Sequence, residues 1–364
     1  MLVPVSRRRR HARAAAIAAV ATLAGVQPLS AAARDTEWIF VPFPIYAPET
    51  CWALTVSAIG STRFGAAPAS SLVASAAWSE REQRSLSLDP RIYLEEGWLL
   101  QGRLAAADWP TDYFGLGADT RQADEETYES RNLEADLNLQ RRTGARFWIG
   151  PRLAARHYRL QEVVRGGLLD RTRPPGFDGG LVAGAGLVTS YDSRDDVFAP
   201  EQGLYLNLGI TAYGSAFGSD YRFREWVLDT RQFVPLRPGW VLALHQHARL
   251  TRGDVPFQEL SLLANTAPPA RLRGYLTGRF RDRDGLTLQS ELRFPIWRRI
   301  SAVAFLATGD VAPRLTELSP SDFKWTGGAG LRYRVSATER INLRLDVAVS
   351  EEDTAVYFAL TEAF

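Results

Sequence analysis

The most constraining feature of the sequence is an alternation of apolar and polar side chains that recurs in segments of about ten residues. In NLEADLNLQ, residues 132–140, every second side chain is apolar and those between are polar or charged. The same pattern runs through GLYLNLGIT, LTLQSELRF and INLRLDVAVS. Successive side chains of a β-strand point to opposite faces of its sheet, so this period predicts strands with one apolar and one polar face.

The length of these strands separates two classes of β protein. About ten residues suit a tilted strand that crosses a bilayer, whereas strands of soluble sandwiches usually have about 5–6. Most tryptophans also fall near predicted strand ends, as in an interfacial aromatic girdle. They are Trp38, Trp52, Trp78, Trp98, Trp109, Trp148, Trp226, Trp240 and Trp325. Both observations favour a transmembrane β-barrel over a soluble sandwich.

Counting back from the C-terminus gives fifteen clear strands, but a single-chain bacterial barrel has an even number. WIFVPFPIY, residues 38–46, supplies the sixteenth, because Pro42 and Pro44 are tolerated on an edge strand. The predicted strands are 38–46, 50–62, 70–79, 83–94, 98–108, 127–140, 146–160, 180–190, 203–213, 221–234, 240–252, 285–294, 300–308, 327–335, 340–350 and 354–364. The sequence therefore predicts an all-β, 16-stranded antiparallel transmembrane barrel.

The parity of the strands assigns the segments between them to two sides. With both chain ends in the periplasm, the turns at 95–97, 141–145, 191–202, 235–239, 295–299 and 336–339 face the periplasm. The long external loops are then 109–126, 164–179, 253–284 and 311–325. Short turns inside and long loops outside are typical of outer-membrane barrels. The sixth external loop, 253–284, is long enough to fold into the water-filled lumen that a barrel of this size encloses.

Residues 1–33 have the composition of an export signal. Arg7–Arg10 form a basic region, Ala14–Gly25 form a short apolar region, and Ala31–Ala33 offer a small-residue cleavage site. The apolar run is shorter than the ~20 residues that a membrane helix needs. We therefore expect residues 1–33 to be a signal peptide and residues 34–364 to form one outer-membrane barrel domain.

Composition excludes several classes of function. Without the five arginines of residues 1–33, the chain has 38 basic and 41 acidic side chains, which argues against a nucleic-acid partner. The single cysteine, Cys51, cannot form an internal disulfide. No phosphate loop, dinucleotide fingerprint or haem motif is present, so no cofactor is predicted. The expected partners are outer-membrane lipid and other outer-membrane or periplasmic proteins.

The histidines and aspartates do not indicate an enzyme or a metal site. His245 and His247 lie on one predicted face with Arg249, but a metal site needs three or four ligands. We interpret both as polar residues of the lumen, and His157 as a wall residue. The sequence has no G-x-S-x-G motif. The aspartates of DSRDD, residues 192–196, are typical of a turn whose side chains bond their own backbone.

The segment RLRGY in the sixth loop carries the residues that we expect to fasten the loop to the wall. Arg273 presents a planar fork of donors that matches a carboxylate. Gly274 lets the backbone turn or approach closely, and Tyr275 is flat with a polar tip. Glu291 lies on the predicted lumen face of the strand that follows the loop. We predict a charge-assisted pair between Arg273 and Glu291.

At these residues the sequence resembles the outer-membrane assembly and translocation barrels that include BamA and TamA, also called the bacterial surface antigen family. LRGY, Leu272–Tyr275, is similar to the family signature in the sixth external loop. ELRFPI, 291–296, resembles the following strand, including the glutamate that meets the loop arginine. YDSRDDVFAPEQGLYL, 191–206, and YFGLGADT, 113–120, resemble two further recurring stretches. The resemblance covers the chain from about residue 38 to Phe364.

Two departures from the family pattern bear on function. Members usually carry an aspartate in the strand after ELRFPI that also engages the loop arginine, and Ala307 occupies that position here. Asp310 is on the opposite face of a regular strand, so we expect Arg273 to depend mainly on Glu291 or the loop to be held less firmly. The large members also carry periplasmic transport-associated domains of at least ~50 residues. Too few residues precede the first predicted strand for such a domain, so the chain is expected to be a barrel-only member.

The resemblance implies a non-enzymatic role in inserting or moving proteins or lipids at the outer membrane. The expected mechanism is a weak closure between the first and last strands, with Pro42, Pro44 and the C-terminal Phe364 at the seam. Val356, Phe358 and Leu360 precede Phe364 on one face, while Glu362 replaces the usual apolar residue. Two alternatives are a passive diffusion channel that the loop narrows, and a barrel enzyme that hydrolyses lipid.

Overall fold

The computed structural model describes residues 37–62, 70–94, 97–267, 269–335 and 340–364, so the predicted signal lies outside the described residues. Within these ranges, sixteen long strands form one antiparallel sheet. They are β1 (Glu37–Ala47), β2 (Cys51–Thr62), β3 (Ser70–Ser79), β4 (Arg84–Leu94), β5 (Trp98–Asp108), β6 (Glu126–Arg142), β7 (Phe147–Glu162), β8 (Gly180–Asp192), β9 (Gly203–Tyr213), β10 (Phe223–Arg237), β11 (Trp240–Gly253), β12 (Asp284–Trp297), β13 (Ile300–Ala312), β14 (Lys324–Arg334), β15 (Asn342–Ser350) and β16 (Thr354–Leu360).

Each of these strands pairs with its neighbour in sequence, and β1 also meets β16, so the sheet closes on itself. The predicted 16-stranded barrel is confirmed. In the described parts of the connections, only short elements are present. They are the α-helix α1 (Leu168–Thr172), the 3-10 turns Gln122–Asp124, Ser215–Phe217, Phe257–Glu259, Leu315–Glu317 and Pro320–Asp322, and the two- or three-residue strands Thr111–Tyr113, Ser261–Leu262 and Arg281–Asp282. None of the helices in the described ranges is long and apolar enough to cross a membrane.

The distribution of polar side chains is the reverse of that in a soluble sandwich. On β12, Gln289 and Glu291 face the lumen and are at most 5% exposed. Leu288, which precedes Gln289, points outward and is 38% exposed. On β15, Asp346 is fully buried while its neighbour Leu345 is 43% exposed. An apolar outer surface around a polar interior suits a barrel surrounded by lipid.

Several tryptophans lie on this outer surface near the barrel ends. Trp38 and Trp297 are at the end opposite the long loops, and Trp52, Trp78 and Trp325 are at the end that carries these loops. All five are 47–61% exposed. Indole rings at two levels of the outer wall are the expected arrangement of interfacial girdles.

The long connections are all at one end of the barrel, as the strand parity predicts. Two of them are Loop 3, residues 109–125, and Loop 6, residues 254–283. At the opposite end, Asp195 accepts hydrogen bonds from the backbone N–H groups of Glu201 and Gln202. Asp196 accepts from Phe198 and Ala199 in the same way. These aspartates therefore bond their own turn, as interpreted from the sequence.

Candidate functional site

Loop 6 occupies the lumen rather than extending away from the barrel. Its start is bonded to the wall through Glu259, which is 2% exposed. Further along, Leu263, Leu272, Tyr275 and Phe280 form a buried cluster with residues of β13. Loop 6 thus has an apolar core of its own that packs on the inner wall, and this core positions the polar tip of the loop.

Arg273 at the loop tip is held between two carboxylates from different strands. Its Nη2 donates to Glu291 Oε1 on β12, and its Nη1 donates to Asp346 Oδ2 on β15 at 2.6 Å. The guanidinium carbon also lies 3.7 Å from the centre of the Phe305 ring. Arg273 is 2% exposed and both acids are fully buried. We call Arg273, Glu291 and Asp346 the latch.

Asp346 corrects the expectation that Arg273 depends mainly on Glu291. Ala307, at the position of the usual family aspartate, is a buried residue of the apolar cluster that contains Leu272 and Tyr275. Asp310 lies 4.0 Å from Lys324, away from the latch. The second carboxylate comes instead from β15. The alternation of INLRLDVAVS places Asp346 on the polar face, but the sequence alone does not show which strands face each other across the lumen.

Gly274 brings the loop backbone against the inner wall. Its N–H donates to Tyr357 Oη at 2.8 Å, and its carbonyl accepts from Ser350 Oγ at 3.0 Å. Its φ is +115°, and an added Cβ would lie 2.8 Å from Thr326 Oγ1. Both the backbone conformation and the space therefore require glycine at this position.

The other two residues of the LRGY segment are buried beside the latch. Leu272 is 0% exposed, and the ring of Tyr275 packs edge-on against Phe280 at 5.6 Å. Burial, with a further contribution from Glu351, raises the pKa of Tyr275 to about 12. The phenol is therefore protonated at neutral pH, and it donates to the Trp325 carbonyl at 3.4 Å. All four predicted loop residues and Glu291 thus lie together in the structure.

The C-terminal residues also turn into the barrel, which the sequence did not predict. β16 ends at Leu360, and Thr361 has a φ of +67°. Glu362 then accepts from Arg332 Nε and from Asn342 Nδ2, both at 2.7 Å. The predicted strand 354–364 is therefore wrong over its last four residues. An acid in place of the usual apolar residue is explained by this buried partner, Arg332.

Phe364 lies in the lumen and not at the seam, which corrects its predicted position. Its ring centre is 5.0 Å from that of His245, and its backbone O accepts from Arg293 Nη2 at 3.0 Å. The preceding residue, Ala363, accepts a 2.8 Å hydrogen bond from the N–H of Ala270 in Loop 6. The terminal segment, Thr361–Phe364, is thus bonded both to the inner wall and to Loop 6.

The seam is the junction between β1 and β16, and among the described residues these strands share the single aligned pair Tyr46–Phe358. By contrast, β15 and β16 are aligned from Leu343–Leu360 to Val349–Thr354. Continuing the seam register by two residues places Pro44 opposite Leu360. Two further residues place Pro42 opposite Glu362, which has left the wall. The first half of β1 therefore has no β16 residue beside it.

The two prolines remove hydrogen-bond donors from the seam side of β1. Trp52 of β2 uses its N–H and carbonyl to bond Glu80, on the side of β3. Its partner on β1 is Tyr46, so the backbone groups of Tyr46 point the other way, toward β16. Pro42 and Pro44 have the same parity as Tyr46. The donors that these prolines lack are therefore ones that would face β16.

Loop 6 bonds the short turns on both sides of the seam. The hydroxyls of Thr266 and Thr277 each donate to Glu49 Oε1 at 2.6 Å, in the turn between β1 and β2. Arg279 Nη2 donates to Glu352 Oε1 at 2.5 Å, in the turn between β15 and β16. At this end of the barrel, the loop connects two hairpins that the wall itself joins only weakly.

Loop 3 packs against Loop 6 through the YFGLGADT segment. Arg279 Nη2 donates to the Thr120 carbonyl at 2.7 Å, and the N–H of Gly117 donates to the Arg281 carbonyl at 2.8 Å. Phe114 is 1% exposed and lies under the Arg279 guanidinium. The YFGLGADT segment therefore packs on the same loop that carries the LRGY segment.

The histidines lie where the sequence analysis placed them. His245 is 0% exposed in the lumen, where its Nδ1 is 2.9 Å from Gln289 Nε2. His247, two residues further on β11, lines a lumen cavity, and His157 is exposed on β7. Across the ranges that the structure covers, no three His, Cys, Asp or Glu side chains converge as metal ligands.

A closed barrel with a polar lumen and an inward loop is the architecture of outer-membrane barrels. The Omp85 superfamily domain matches residues 87–364 of this chain. The chain therefore belongs to the Omp85 superfamily, and the resemblance to assembly and translocation barrels is confirmed.

Two solved structures share the fold. BamA from Haemophilus ducreyi lacking POTRA domains 1-3 is similar with a TM-score of 0.61 and 15% identity, over 90% of this chain and 70% of that one. CdiB from Acinetobacter baumannii is similar with a TM-score of 0.58 and 12% identity, over 90% of this chain and 59% of that one. The chain thus spans less than two thirds of CdiB. No curated protein matches the sequence.

Proposed function

We propose that this protein is a non-enzymatic outer-membrane barrel that inserts or moves proteins or lipids by opening at the seam. The observation that carries this proposal is the single aligned pair between β1 and β16, next to two prolines that remove donors on that side. Membership of the Omp85 superfamily supports the same class of function. The proposed partners are outer-membrane lipid and other outer-membrane or periplasmic proteins.

Opening such a seam breaks few interactions. Each backbone hydrogen bond contributes only about 0.5–1.5 kcal/mol net. The seam has a single aligned residue pair, so few such bonds are lost when it opens. The unpaired half of β1 also presents backbone carbonyl groups along a free strand edge, together with the N–H groups of its residues that are not proline. Such an edge is a template for pairing with an incoming strand. A client strand or a lipid could thus enter the wall at this junction.

The latch has a complementary role in the proposal. It ties Loop 6 to β12 and β15, so these strands keep their arrangement when the seam separates. The loop also fills the lumen, which limits leakage of solutes during opening. The mobile part of the wall is therefore expected to be the end of β1 and β2 away from their turn, because Loop 6 holds that turn through Glu49. The strands bonded to the latch stay in place.

A reversible disulfide across the seam tests the proposed opening. In a Cys51→Ser background, Tyr46→Cys and Phe358→Cys place two thiols at the aligned pair of the seam. A matched lock, Ala304→Cys with Ala329→Cys, joins the aligned residues of β13 and β14. Vesicles with the barrel are assayed for the folding rate of a urea-unfolded outer-membrane protein and for the transfer of fluorescent lipid between leaflets.

We expect at least one of the two rates to exceed that of empty vesicles. Oxidation of the seam lock should return that rate to the empty-vesicle level, and reductant should restore it. Oxidation of the β13–β14 lock should leave it unchanged. Full activity with the seam locked would exclude opening at this junction.

A passive diffusion channel is the competing function, and conductance in a planar bilayer separates the two. We expect the intact barrel to be nearly silent, because Loop 6 is buried in the lumen. Arg273→Ala and a variant lacking residues 260–280 should both conduct. Steady and equal conductance in all three would favour the diffusion channel. Lipid product analysis of the same vesicles tests the hydrolase alternative.

A further inference from the structure

A second polar region lies in the lumen, lined by β6 to β11 and by Loop 6. It surrounds a cavity of about 380 Å³. Four arginines line this cavity: Arg152 and Arg156 from β7, Arg249 from β11 and Arg271 from Loop 6. The latch residues do not take part in it. The cavity is therefore a separate feature of the interior.

Three of the four arginines are neutralised by carboxylates of the protein. Arg152 Nη2 lies 2.5 Å from Asp136 Oδ2. Arg249 Nη2 lies 2.7 Å from Glu259 Oε2, and Arg156 Nη1 lies 3.4 Å from the same atom. Their charges are thus satisfied without any ligand.

Arg271 has no such partner. Among the residues that the structure describes, no carboxylate oxygen lies within 4.0 Å of its guanidinium, and its Nη2 makes a long 3.5 Å hydrogen bond to the Leu262 carbonyl. Its Nε is buried without a hydrogen-bond partner, as is the Nε of Arg249. Arg271 is partly buried, and a cation removed from bulk water without a counter-ion is costly. A ligand that supplies a counter-ion would therefore be stabilised here.

The electrostatic environment of Arg271 is consistent with a missing anion. Burial lowers the pKa of its guanidinium to about 10. Arg249 and Arg231 contribute to the decrease, and together with burial they outweigh the opposing effect of Asp229. Arg271 is still charged at neutral pH. An anion beside Arg271 would supply the counter-ion that this guanidinium lacks.

We propose that the cavity binds an oxyanion of the phosphate class through Arg271, Arg249 and His247. Guanidinium groups match the oxygens of phosphate as paired donors. His247 is 9% exposed, lines the same cavity and can add a ring N–H donor. The volume exceeds that of inorganic phosphate, so a small organic substituent on the phosphoryl group also fits.

The site would connect ligand binding to the position of Loop 6. Arg271 precedes the latch residue Arg273 by two positions, and Arg249 and His247 belong to β11. A bound anion would therefore fasten the loop to β11, whereas the latch fastens it to β12 and β15. This function is independent of transport through the seam.

The test uses the purified full-length barrel in detergent micelles, with inorganic phosphate as the probe and chloride at equal ionic strength as the reference. Thermal unfolding gives the stabilisation by phosphate, and 31P NMR line broadening reports binding directly. Arg271→Gln removes the unpaired charge. Arg314→Gln, at an arginine that is 73% exposed in the loop after β13, is the matched control. A parallel titration with glycerol phosphate distinguishes a lipid headgroup from free phosphate.

Saturable stabilisation and line broadening are expected in the wild type and in Arg314→Gln. Arg271→Gln should weaken affinity about tenfold or more, as expected for loss of a charge-assisted hydrogen bond. Tighter binding of glycerol phosphate would identify a headgroup as the source, and tighter binding of inorganic phosphate would identify the free anion. Absence of saturable binding for both probes, or equal affinity in Arg271→Gln, would overturn the proposal.

Discussion

The seam and the latch lie close together in the barrel and are held by opposite means. The seam has one aligned residue pair and two prolines. Just inside it, Arg273, Glu291 and Asp346 form a buried ionic group. This part of the barrel is therefore weakly joined along the wall and strongly joined through the interior.

The difference indicates how a barrel can open without unfolding. Two strands that are joined only by backbone hydrogen bonds separate when those hydrogen bonds break. Here β12 and β15 are also bonded through the latch, and the terminal segment is bonded through Arg332 and Glu362. Loss of the seam therefore leaves the interior bonds in place.

Arg273→Ala is expected to have the largest effect. It removes the cation that Glu291 and Asp346 share, although Glu291 keeps Arg293 and Asp346 keeps Arg332 as partners. The cost is therefore expected at the lower end of the range for breaking a buried ion pair, about 3 kcal/mol. We expect the free energy of unfolding in urea to fall by that amount and Loop 6 to become sensitive to protease. Arg314→Ala, at an exposed arginine, should change the stability by less than about 0.5 kcal/mol. Equal effects of the two substitutions would show that the latch does not stabilise the folded protein.

The pH dependence of Glu259 tests the attachment of Loop 6 away from the seam. Burial alone would raise the pKa of this carboxyl, but Arg156 and Arg249 outweigh burial and hold its pKa at about 2. Its folded-state pKa is below the unfolded value of about 4.5, so its contribution is present above pH 4.5 and is lost as the pH falls toward 2. The contribution is on the order of 3 kcal/mol.

Urea unfolding of the wild type and of Glu259→Gln between pH 7 and pH 2.5 measures this contribution. The difference in stability between the two should shrink as the pH falls. Glu317→Gln, at an acid that is 51% exposed, is the control and should follow the wild type. A constant difference between Glu259→Gln and the wild type across the range would contradict the assigned pKa.

Gly274→Ala tests the close approach of the loop backbone to the wall. Gly166 provides a matched control, because its φ of +70° is also positive but an added Cβ meets nothing within 4 Å. Gly166→Ala should cost about 1 kcal/mol from backbone strain alone. Gly274→Ala should cost about 2 kcal/mol more, because its Cβ also meets Thr326. Similar unfolding free energies for both variants would show that the loop tip adjusts freely.

Pro44→Ala should strengthen the seam by a small amount. It restores an N–H opposite Leu360, whose backbone groups face β1 because Thr361 N–H bonds Asn342 on the β15 side. One added hydrogen bond contributes about 1 kcal/mol, so amide exchange of residues 354–360 should slow about fivefold. Pro42→Ala makes the same chemical change opposite Glu362, which is off the wall, and should not slow that exchange. Equal protection in both variants would contradict the register of the seam.

The barrel itself could be predicted from the sequence because its strands obey a strict period of two. LTLQSELRF and INLRLDVAVS show which residues share a face, and the structure confirms the pairing of each strand with its neighbour. A local pattern of this kind requires no knowledge of distant residues. The Arg273–Glu291 pair could also be predicted, because Glu291 lies on the strand that directly follows the loop in sequence.

Asp346 and the terminal segment could not be predicted in the same way. The contact of Arg273 with Asp346 joins residues 73 positions apart across the lumen, and strand alternation does not specify which inward residues meet. The inward turn at Thr361 depends on Arg332 and Arg293, which bond Glu362 and Phe364. Apolar residues at 356, 358 and 360 continue the strand pattern up to that turn and give no local signal that the strand ends.

The central claim is that the wall opens at the seam while the rest of the barrel stays closed. Spin labels at Phe40 of β1 and Val356 of β16, in a Cys51→Ser background, report the distance across the seam. Labels at Leu306 of β13 and Leu331 of β14 report an ordinary junction of the same wall. All four residues are at least 39% exposed on the outer surface. Pulsed electron resonance in lipid nanodiscs should give a broad distance distribution across the seam and a narrow one across β13–β14. Equally narrow distributions at both junctions would contradict the account.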